Sequence, residues 1–97
     1  MTGEPALSDQ AIAKLRGELP HWRLDGQTLV RTEEASSFPA AIAWVVATAQ
    51  AAEAMNHHPD IDVRYREVTW RLSTHSVGAI TLLDVELARR IDAVLNP

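Results

Sequence analysis

Three of the four histidines in this chain lie in two short segments whose residue types suit proton transfer or metal binding. His57 and His58 are adjacent and precede a proline, and His75 follows farther along the chain. Histidine is the one side chain whose unperturbed pKa lets it give and take protons near neutrality. Glu53 stands one helical turn before His57, so the group indicates either acid–base catalysis or a metal site.

The elements around these histidines decide which of them can meet. Glu53 and His57 are four residues apart on a predicted helix, so they share a face, and the carboxylate could orient the imidazole. His58 leaves the end of that helix, and its ring is expected to point away from the ring of His57. His75 follows a predicted strand with parity opposite to Thr74, and the sequence does not decide whether it joins the other two. A solvated surface pair is the plainer interpretation of Glu53 and His57.

Asp84 is the second carboxylate of interest, and it has a structural explanation of its own. Thr81 to Asp84 resembles a capping box at the start of a helix, with Asp in place of the usual Glu. A zinc site built from the histidines with Glu53 or Asp84 is the chemical alternative. Adjacent His57 and His58 should diverge, which disfavours that alternative, and we therefore predict no metal.

Composition and charge exclude several classes of function. The 97 residues are enough for one domain, and we predict a flexible tail over 1–6 and a single domain over 7–97. A net charge of −4 leaves no basic excess for nucleic acid, and without cysteine there is no disulfide or thiolate metal site. The richest apolar run, 40–52, is interrupted by Thr48 and Gln50, so no membrane span is expected. The start of the chain lacks the pattern of a signal peptide, which predicts a cytoplasmic protein.

The hydrophobic periodicity predicts three helices and two hairpins. The first helix begins after Ser8 and ends before Pro20. The second begins after Ser36 or Ser37, ends near His57 and is expected to bury one face. The remaining elements are a hairpin turning at Asp25-Gly26, strands over 62–67 and 68–74 turning at Arg66-Glu67, and a final helix from Thr81. The predicted buried face of the second helix consists of Ile42, Val45, Ala49, Ala52 and either Met55 or Asn56. The order α-β-β-α-β-β-α predicts an α+β fold, a four-stranded antiparallel sheet with helices packed on one face.

Taken together, the motifs resemble the pterin-4a-carbinolamine dehydratase family, and its bacterial members in particular. The resemblance rests on Glu53-x-x-x-His57-His58-Pro59, on Val68-x-Trp70-x-Leu72-x-Thr74-His75 and on Gly78-x-Ile80-Thr81-x-x-Asp84. It extends over about residues 7–95. Several features depart from the family pattern. Ile61 stands where many members have an aromatic residue, Ser76 where many have Asp after the third histidine, and Ala79 where many have a second glycine. Glu33-Glu34-Ala35 replaces an alternating aromatic pattern before the second helix.

The resemblance implies an activity and a set of site residues. Members of this family remove water from a 4a-hydroxytetrahydropterin to give the quinonoid dihydropterin, without metal or organic cofactor. The reaction serves aromatic amino acid hydroxylases, and members associate as homodimers or homotetramers. The site residues carry over to this chain as His57, His58 and His75, with Glu53, Asp84 and Thr74 in support. We expect His57 and His75 to transfer protons and His58 to bind the pterin or act as an alternate acid.

A second class of function stays open on the same fold. Proteins that resemble this family also act as binding or assembly-factor modules, which use helical or sheet surfaces and do not need histidines. The chain has the whole set of histidines and supporting carboxylates, which a pure scaffold need not retain. The sequence therefore favours the enzyme.

Overall fold

The chain folds into one four-stranded sheet and three helices, in a computed structural model that describes residues 5–97. Of the predicted N-terminal tail, residues 1–4 lie outside the described part, while the backbone N–H of Leu7 already donates to Ile80 at 2.9 Å. The elements are α1 (Asp9–Glu18), β1 (Arg23–Asp25), β2 (Thr28–Glu34), α2 (Phe38–Met55), β3 (Asp60–Arg64), β4 (Glu67–Leu72) and α3 (Leu82–Leu95). This is the predicted order α-β-β-α-β-β-α.

The sheet is antiparallel throughout, with strand order β1-β2-β4-β3. Trp70 lies at its centre, opposite Arg31 on one side and Ile61 on the other. Because side chains alternate across a strand, Val68, Trp70 and Leu72 share one face, and all three are buried. The other face carries polar pairs such as Thr32 and Thr69, whose hydroxyls are 2.9 Å apart. One apolar and one polar face confirm a sheet covered by helices on a single side.

Polar side chains set the helix ends as predicted. Ser8 accepts a hydrogen bond from Ala11 N–H at 3.1 Å, and Ser37 accepts one from Ala40 N–H at 3.1 Å. Each bond satisfies a backbone donor that has no partner inside the helix, and such a cap contributes about 1 kcal/mol. Ser37, and not Ser36, is therefore the cap of α2.

The predicted buried face of α2 is wrong at two positions. Ile42 and Ala49 are exposed, while Ala41, Thr48 and Ala52 are buried. The hydroxyl of Thr48 donates to Trp44 O at 2.8 Å and accepts from Trp70 Nε1 at 3.0 Å. Because Thr48 satisfies the indole of the central tryptophan, the helix turns this polar residue inwards and leaves apolar residues outside.

The second hairpin turns one residue earlier than predicted. Arg64 pairs with Glu67, so Tyr65 and Arg66 form the turn, in place of Arg66-Glu67. Tyr65 has φ 56°, a left-handed conformation that the sequence does not suggest because no Gly or Asn is present. Contacts outside the hairpin compensate: Arg66 donates to Ala35 O at 3.1 Å, and its own carbonyl accepts from Ala35 N–H at 2.8 Å.

By length and composition alone, α2 is apolar enough to cross a membrane, contrary to the expectation from sequence. It spans 18 residues with a mean hydropathy of 1.2. It packs, however, on the sheet that is formed by the strands before and after it in the sequence. The rings of Trp44 and Trp70 are centred 6.2 Å apart. We therefore describe α2 as a helix of the domain core whose outer face is also apolar.

Candidate active site

His57 is placed by the way α2 ends. Asn56 adopts a left-handed conformation with φ 51° and ψ 41°, which Asn tolerates better than most residues. Its N–H donates to Glu53 O at 3.0 Å, and the N–H of His57 donates to Ala52 O at 3.1 Å. These are the two backbone bonds of a Schellman motif. The motif satisfies the last carbonyls of α2 and turns the chain so that His57 leaves the helix axis.

Asp84 is placed by the way α3 begins. Thr81 is the N-cap, and its hydroxyl accepts from Leu83 N–H at 3.2 Å. The Asp84 carboxylate accepts from the backbone N–H of Thr81 through Oδ2 at 2.9 Å. The predicted capping box is thus present with Asp in the role usually taken by Glu. Asp84 is fully buried, so its second oxygen also needs a donor.

That second oxygen contacts His57. Oδ1 of Asp84 lies 2.6 Å from Nε2 of His57, whose side chain is 12% exposed. Thr74 adds a donor on the other side, with its hydroxyl 2.8 Å from Oδ2. The carboxylate thus joins the end of α2, the end of the β4 segment and the start of α3. It both caps α3 and contacts an imidazole, so helix capping accounts for only one of its two oxygens.

Glu53 does not make the predicted contact with His57. Its Oε1 lies 2.8 Å from Nε2 of His58, and both side chains are more than half exposed. The i,i+4 spacing does not bring the two side chains together because the left-handed turn at Asn56 moves His57 away from the helix surface. The structure therefore contains a buried pair, His57 with Asp84, and an exposed pair, His58 with Glu53.

His75 lies in the loop directly after Thr74. Thr74 is buried and pairs with Ala79 across the loop, while His75 is exposed. Gly78, with φ 70°, closes the loop by donating from its N–H to Thr74 O at 2.8 Å. Within residues 5–97, no side-chain hydrogen bond joins His75 to His57 or His58. Backbone continuity with Thr74, which contacts Asp84, is what ties His75 to the buried pair.

The arrangement is suited to proton transfer. A carboxylate that is hydrogen bonded to one ring nitrogen fixes the orientation of an imidazole, as in many acid–base sites. Two further imidazoles, of His58 and His75, are exposed to a molecule arriving from solvent. In the part of the chain that the structure describes, no three His, Cys, Asp or Glu side chains are placed to hold a metal ion.

The sequence does not predict one contact of the buried cluster. The hydroxyl of Thr81 lies 2.7 Å from the hydroxyl of Thr74, and both are buried. The capping-box pattern identified Thr81 as a helix cap but gave no sign of this second contact. The contact joins residues of two elements, so the spacing along the chain carries no signal for it.

Comparison with known proteins identifies the family. The family model described as pterin 4 alpha carbinolamine dehydratase matches residues 5–94. A protein of Nocardia farcinica named "Putative pterin-4-alpha-carbinolamine dehydratase" is 55% identical over 89% of this chain and 90% of its own length. A protein of Roseiflexus with the same name is 46% identical over 92% of this chain and 96% of its own length.

Solved structures agree with this fold. The crystal structure of a transcriptional coactivator/pterin dehydratase from Brucella melitensis has a TM-score of 0.88 and 28% identity, covering 93% of this chain and 98% of that chain. A pterin dehydratase-like assembly factor for RuBisCO in the alpha-carboxysome has a TM-score of 0.66 and 24% identity, covering 77% of this chain and 89% of that chain, and it shows the fold alone. The family match, the identities and the shared fold establish that this chain belongs to the pterin-4a-carbinolamine dehydratase family.

Proposed function

We propose that this protein is a hydro-lyase that dehydrates a 4a-hydroxytetrahydropterin, such as 4a-hydroxytetrahydrobiopterin, to the quinonoid dihydropterin. The observation that carries the proposal is the 2.6 Å contact between His57 Nε2 and the buried Asp84 carboxylate. A structural cap needs only the bonds from Asp84 to the start of α3. The additional imidazole is explained by proton-transfer chemistry.

The reaction moves two protons, one to the leaving hydroxyl group and one from the ring nitrogen, and it breaks the carbon–oxygen bond. In the substrate, one carbon carries both a hydroxyl group and a ring nitrogen with its hydrogen. An acid protonates the hydroxyl oxygen, the carbon–oxygen bond breaks, and water leaves. The nitrogen forms a double bond to that carbon and gives its proton to a base. Each of the two proton transfers is worth about 10²–10⁴-fold in rate.

The positions of the histidines support a division of these roles. His57 is held by a buried carboxylate, so it is the base that takes the proton from the ring nitrogen. His75 is exposed in the loop after Thr74, and it is the acid at the leaving hydroxyl group. His58 and Glu53 form the exposed pair and bind the pterin, with His58 as an alternate acid. Thr74 supports the base by donating to Asp84.

The proposed activity also implies which cofactors, cellular location and partners the protein has. The chemistry needs neither a metal ion nor an organic cofactor, because one imidazole donates a proton and another accepts one. The product is a pterin that a reductase can recycle, which links the protein to an aromatic amino acid hydroxylase in the cytoplasm. We infer no role in binding nucleic acid, since the chain has a net charge of −4.

We also propose that copies of this chain associate through the outer face of α2. Phe38, Ile42 and Val46 are exposed and follow one another at four-residue spacing. From Phe38 to Ala52 the helix carries no charged side chain, so a second copy related by a twofold axis would bury no unpaired charge. Packing of the same face on a different protein is the competing binding-module function.

The activity is tested by generating 4a-hydroxytetrahydropterin with a hydroxylase and following its dehydration by absorbance. The wild-type protein should accelerate the reaction, and a chelator in excess should leave the rate unchanged. A folded protein that produces no acceleration would contradict the enzymatic function. A rate abolished by chelation and restored by a divalent metal would contradict the metal-free mechanism.

A further inference from the structure

Two buried hydroxyl groups continue the hydrogen bonding of Asp84 away from His57. Thr81 Oγ1 and Thr74 Oγ1 are 2.7 Å apart, and both residues are almost completely buried. No buried side-chain nitrogen or oxygen within residues 5–97 lacks a hydrogen-bond partner. In such a closed cluster, the direction of each hydrogen bond is fixed by counting donors and acceptors.

The direction along the two threonines follows from the carboxylate. An ionised carboxylate only accepts, so Thr74 donates its single hydroxyl hydrogen to Asp84 Oδ2 at 2.8 Å. The oxygen of Thr74 must then accept from Thr81, which donates its own hydroxyl hydrogen. The oxygen of Thr81 in turn accepts from the backbone N–H of Leu83 at 3.2 Å. Each hydroxyl in the chain thus accepts one hydrogen bond and donates one.

The same count fixes the hydrogen on His57. Oδ2 of Asp84 already receives Thr74 O–H and, at 2.9 Å, the N–H of Thr81. Oδ1 faces His57 Nε2 at 2.6 Å and can only accept, so Nε2 carries a hydrogen. In a neutral imidazole one nitrogen carries the hydrogen and the other holds a free lone pair. The free lone pair therefore lies on Nδ1.

We propose that Thr81 is a positioning residue, which acts through Thr74 and Asp84 to hold His57 with its hydrogen on Nε2 and Nδ1 free as the base. The importance of Nδ1 for the reaction depends on the proposed dehydratase activity, whereas the tautomer does not. Removal of the Thr81 hydroxyl leaves the Thr74 oxygen without its donor. Thr74 can then rotate away from Asp84, and the carboxylate is held less firmly against His57.

This role goes beyond helix capping. A cap needs only an oxygen that accepts a hydrogen bond. The chain to Asp84 also needs a donor on the same atom, which a serine can supply and an alanine cannot. Ser37 provides the matched control because its hydroxyl caps α2 in the same way, accepting from Ala40 N–H at 3.1 Å. Ser37→Ala therefore removes a cap but leaves the threonine chain intact.

The test is nitrogen-15 NMR of the histidine rings in the full-length protein, at a pH where the His57 ring is neutral. We expect the wild-type spectrum to show the hydrogen of His57 on Nε2. Thr81→Ala should give a mixture of tautomers and lower kcat by up to about tenfold, with KM little changed. Thr81→Ser should keep the wild-type spectrum and rate, as should Ser37→Ala, even where Ser37→Ala lowers stability.

Two results would overturn the inference. One is a wild-type His57 with its hydrogen on Nδ1, which needs no variant and does not depend on how well Thr81→Ala folds. The other is a folded Thr81→Ala protein whose His57 signals match the wild type. Neither NMR measurement requires a pterin, so the tautomer of His57 can be determined even if the protein has no dehydratase activity. Failure of the inference is therefore distinguishable from failure of the proposed function.

Discussion

The imidazole of His57 and the carboxylate of Asp84 are in contact at 2.6 Å, and this contact joins the end of α2 to the first turn of α3. Each partner is held by the backbone of its own element. His57 follows the Schellman motif of α2, and Asp84 belongs to the capping box of α3. The precision of the pair thus comes from two helix ends, which are more rigid than loops.

Replacing the buried carboxylate by an amide tests this pair. In Asp84→Asn the amide oxygen can still accept from Thr74 and from the Thr81 N–H, so helix α3 should form. The amide nitrogen would then face His57 Nε2, and because it only donates, it would force the hydrogen of His57 to the other nitrogen. We expect the dehydration rate to fall by about 10²-fold or more, measured as kcat. A rate within twofold of the wild type would contradict the role of Asp84.

The exposed pair of Glu53 and His58 should affect binding of the pterin and not the stability of the fold. Glu53 and His58 are both largely exposed, and such pairs contribute about 1 kcal/mol or less. Glu53→Gln should leave the urea midpoint of unfolding close to that of the wild type while raising KM for the pterin. Glu18→Gln removes another exposed pair, with Arg89, and is the matched control. Equal KM values for the two variants would contradict a role of Glu53 in binding the pterin.

The left-handed conformation of Asn56 leads to a separate prediction about the free energy of unfolding. Glycine adopts φ 51° without strain, whereas a β-branched residue does not. Asn56→Gly should be as stable as the wild type, and Asn56→Val should lose about 1–2 kcal/mol, measured by urea unfolding. Equal stability of the two variants would mean that the turn does not constrain the end of α2.

Self-association through α2 is tested by placing a charge on its outer face. Val46 is 52% exposed, so Val46→Glu should leave the monomer folded while burying a charge in any twofold interface. Sedimentation should show an oligomer for the wild type and a smaller species for Val46→Glu. Ala13→Glu, on the exposed side of α1, should leave the assembly unchanged. A wild-type monomer at micromolar concentration would contradict self-association and direct attention to a different protein partner.

The fold was predictable because the local signals agree with one another. Serine caps, the threonine capping box and alternation in β4 each specify an element without reference to the rest of the chain. The family was equally accessible, since its motifs occupy short stretches of sequence. The element order and the antiparallel sheet followed directly from these patterns.

The site was less predictable because its contacts join distant elements. Spacing placed Glu53 beside His57, but the backbone conformation of Asn56 redirects the ring to Asp84, 27 residues later. The buried face of α2 differs from the predicted one because Thr48, a polar residue, accepts a hydrogen bond from the indole of Trp70 inside the core. The hydroxyl contact between Thr74 and Thr81 had no signal in the sequence.

The most direct test of the central claim is the dehydration rate of His57→Ala beside that of His21→Ala. His21 is exposed and adjoins Trp22, whose indole contacts Asp92 near the far end of α3. It therefore controls for the loss of a histidine away from the proposed site. We predict that His57→Ala loses about 10²-fold or more in kcat, while His21→Ala keeps the wild-type rate. Equal rates for the two folded variants would contradict catalysis at His57.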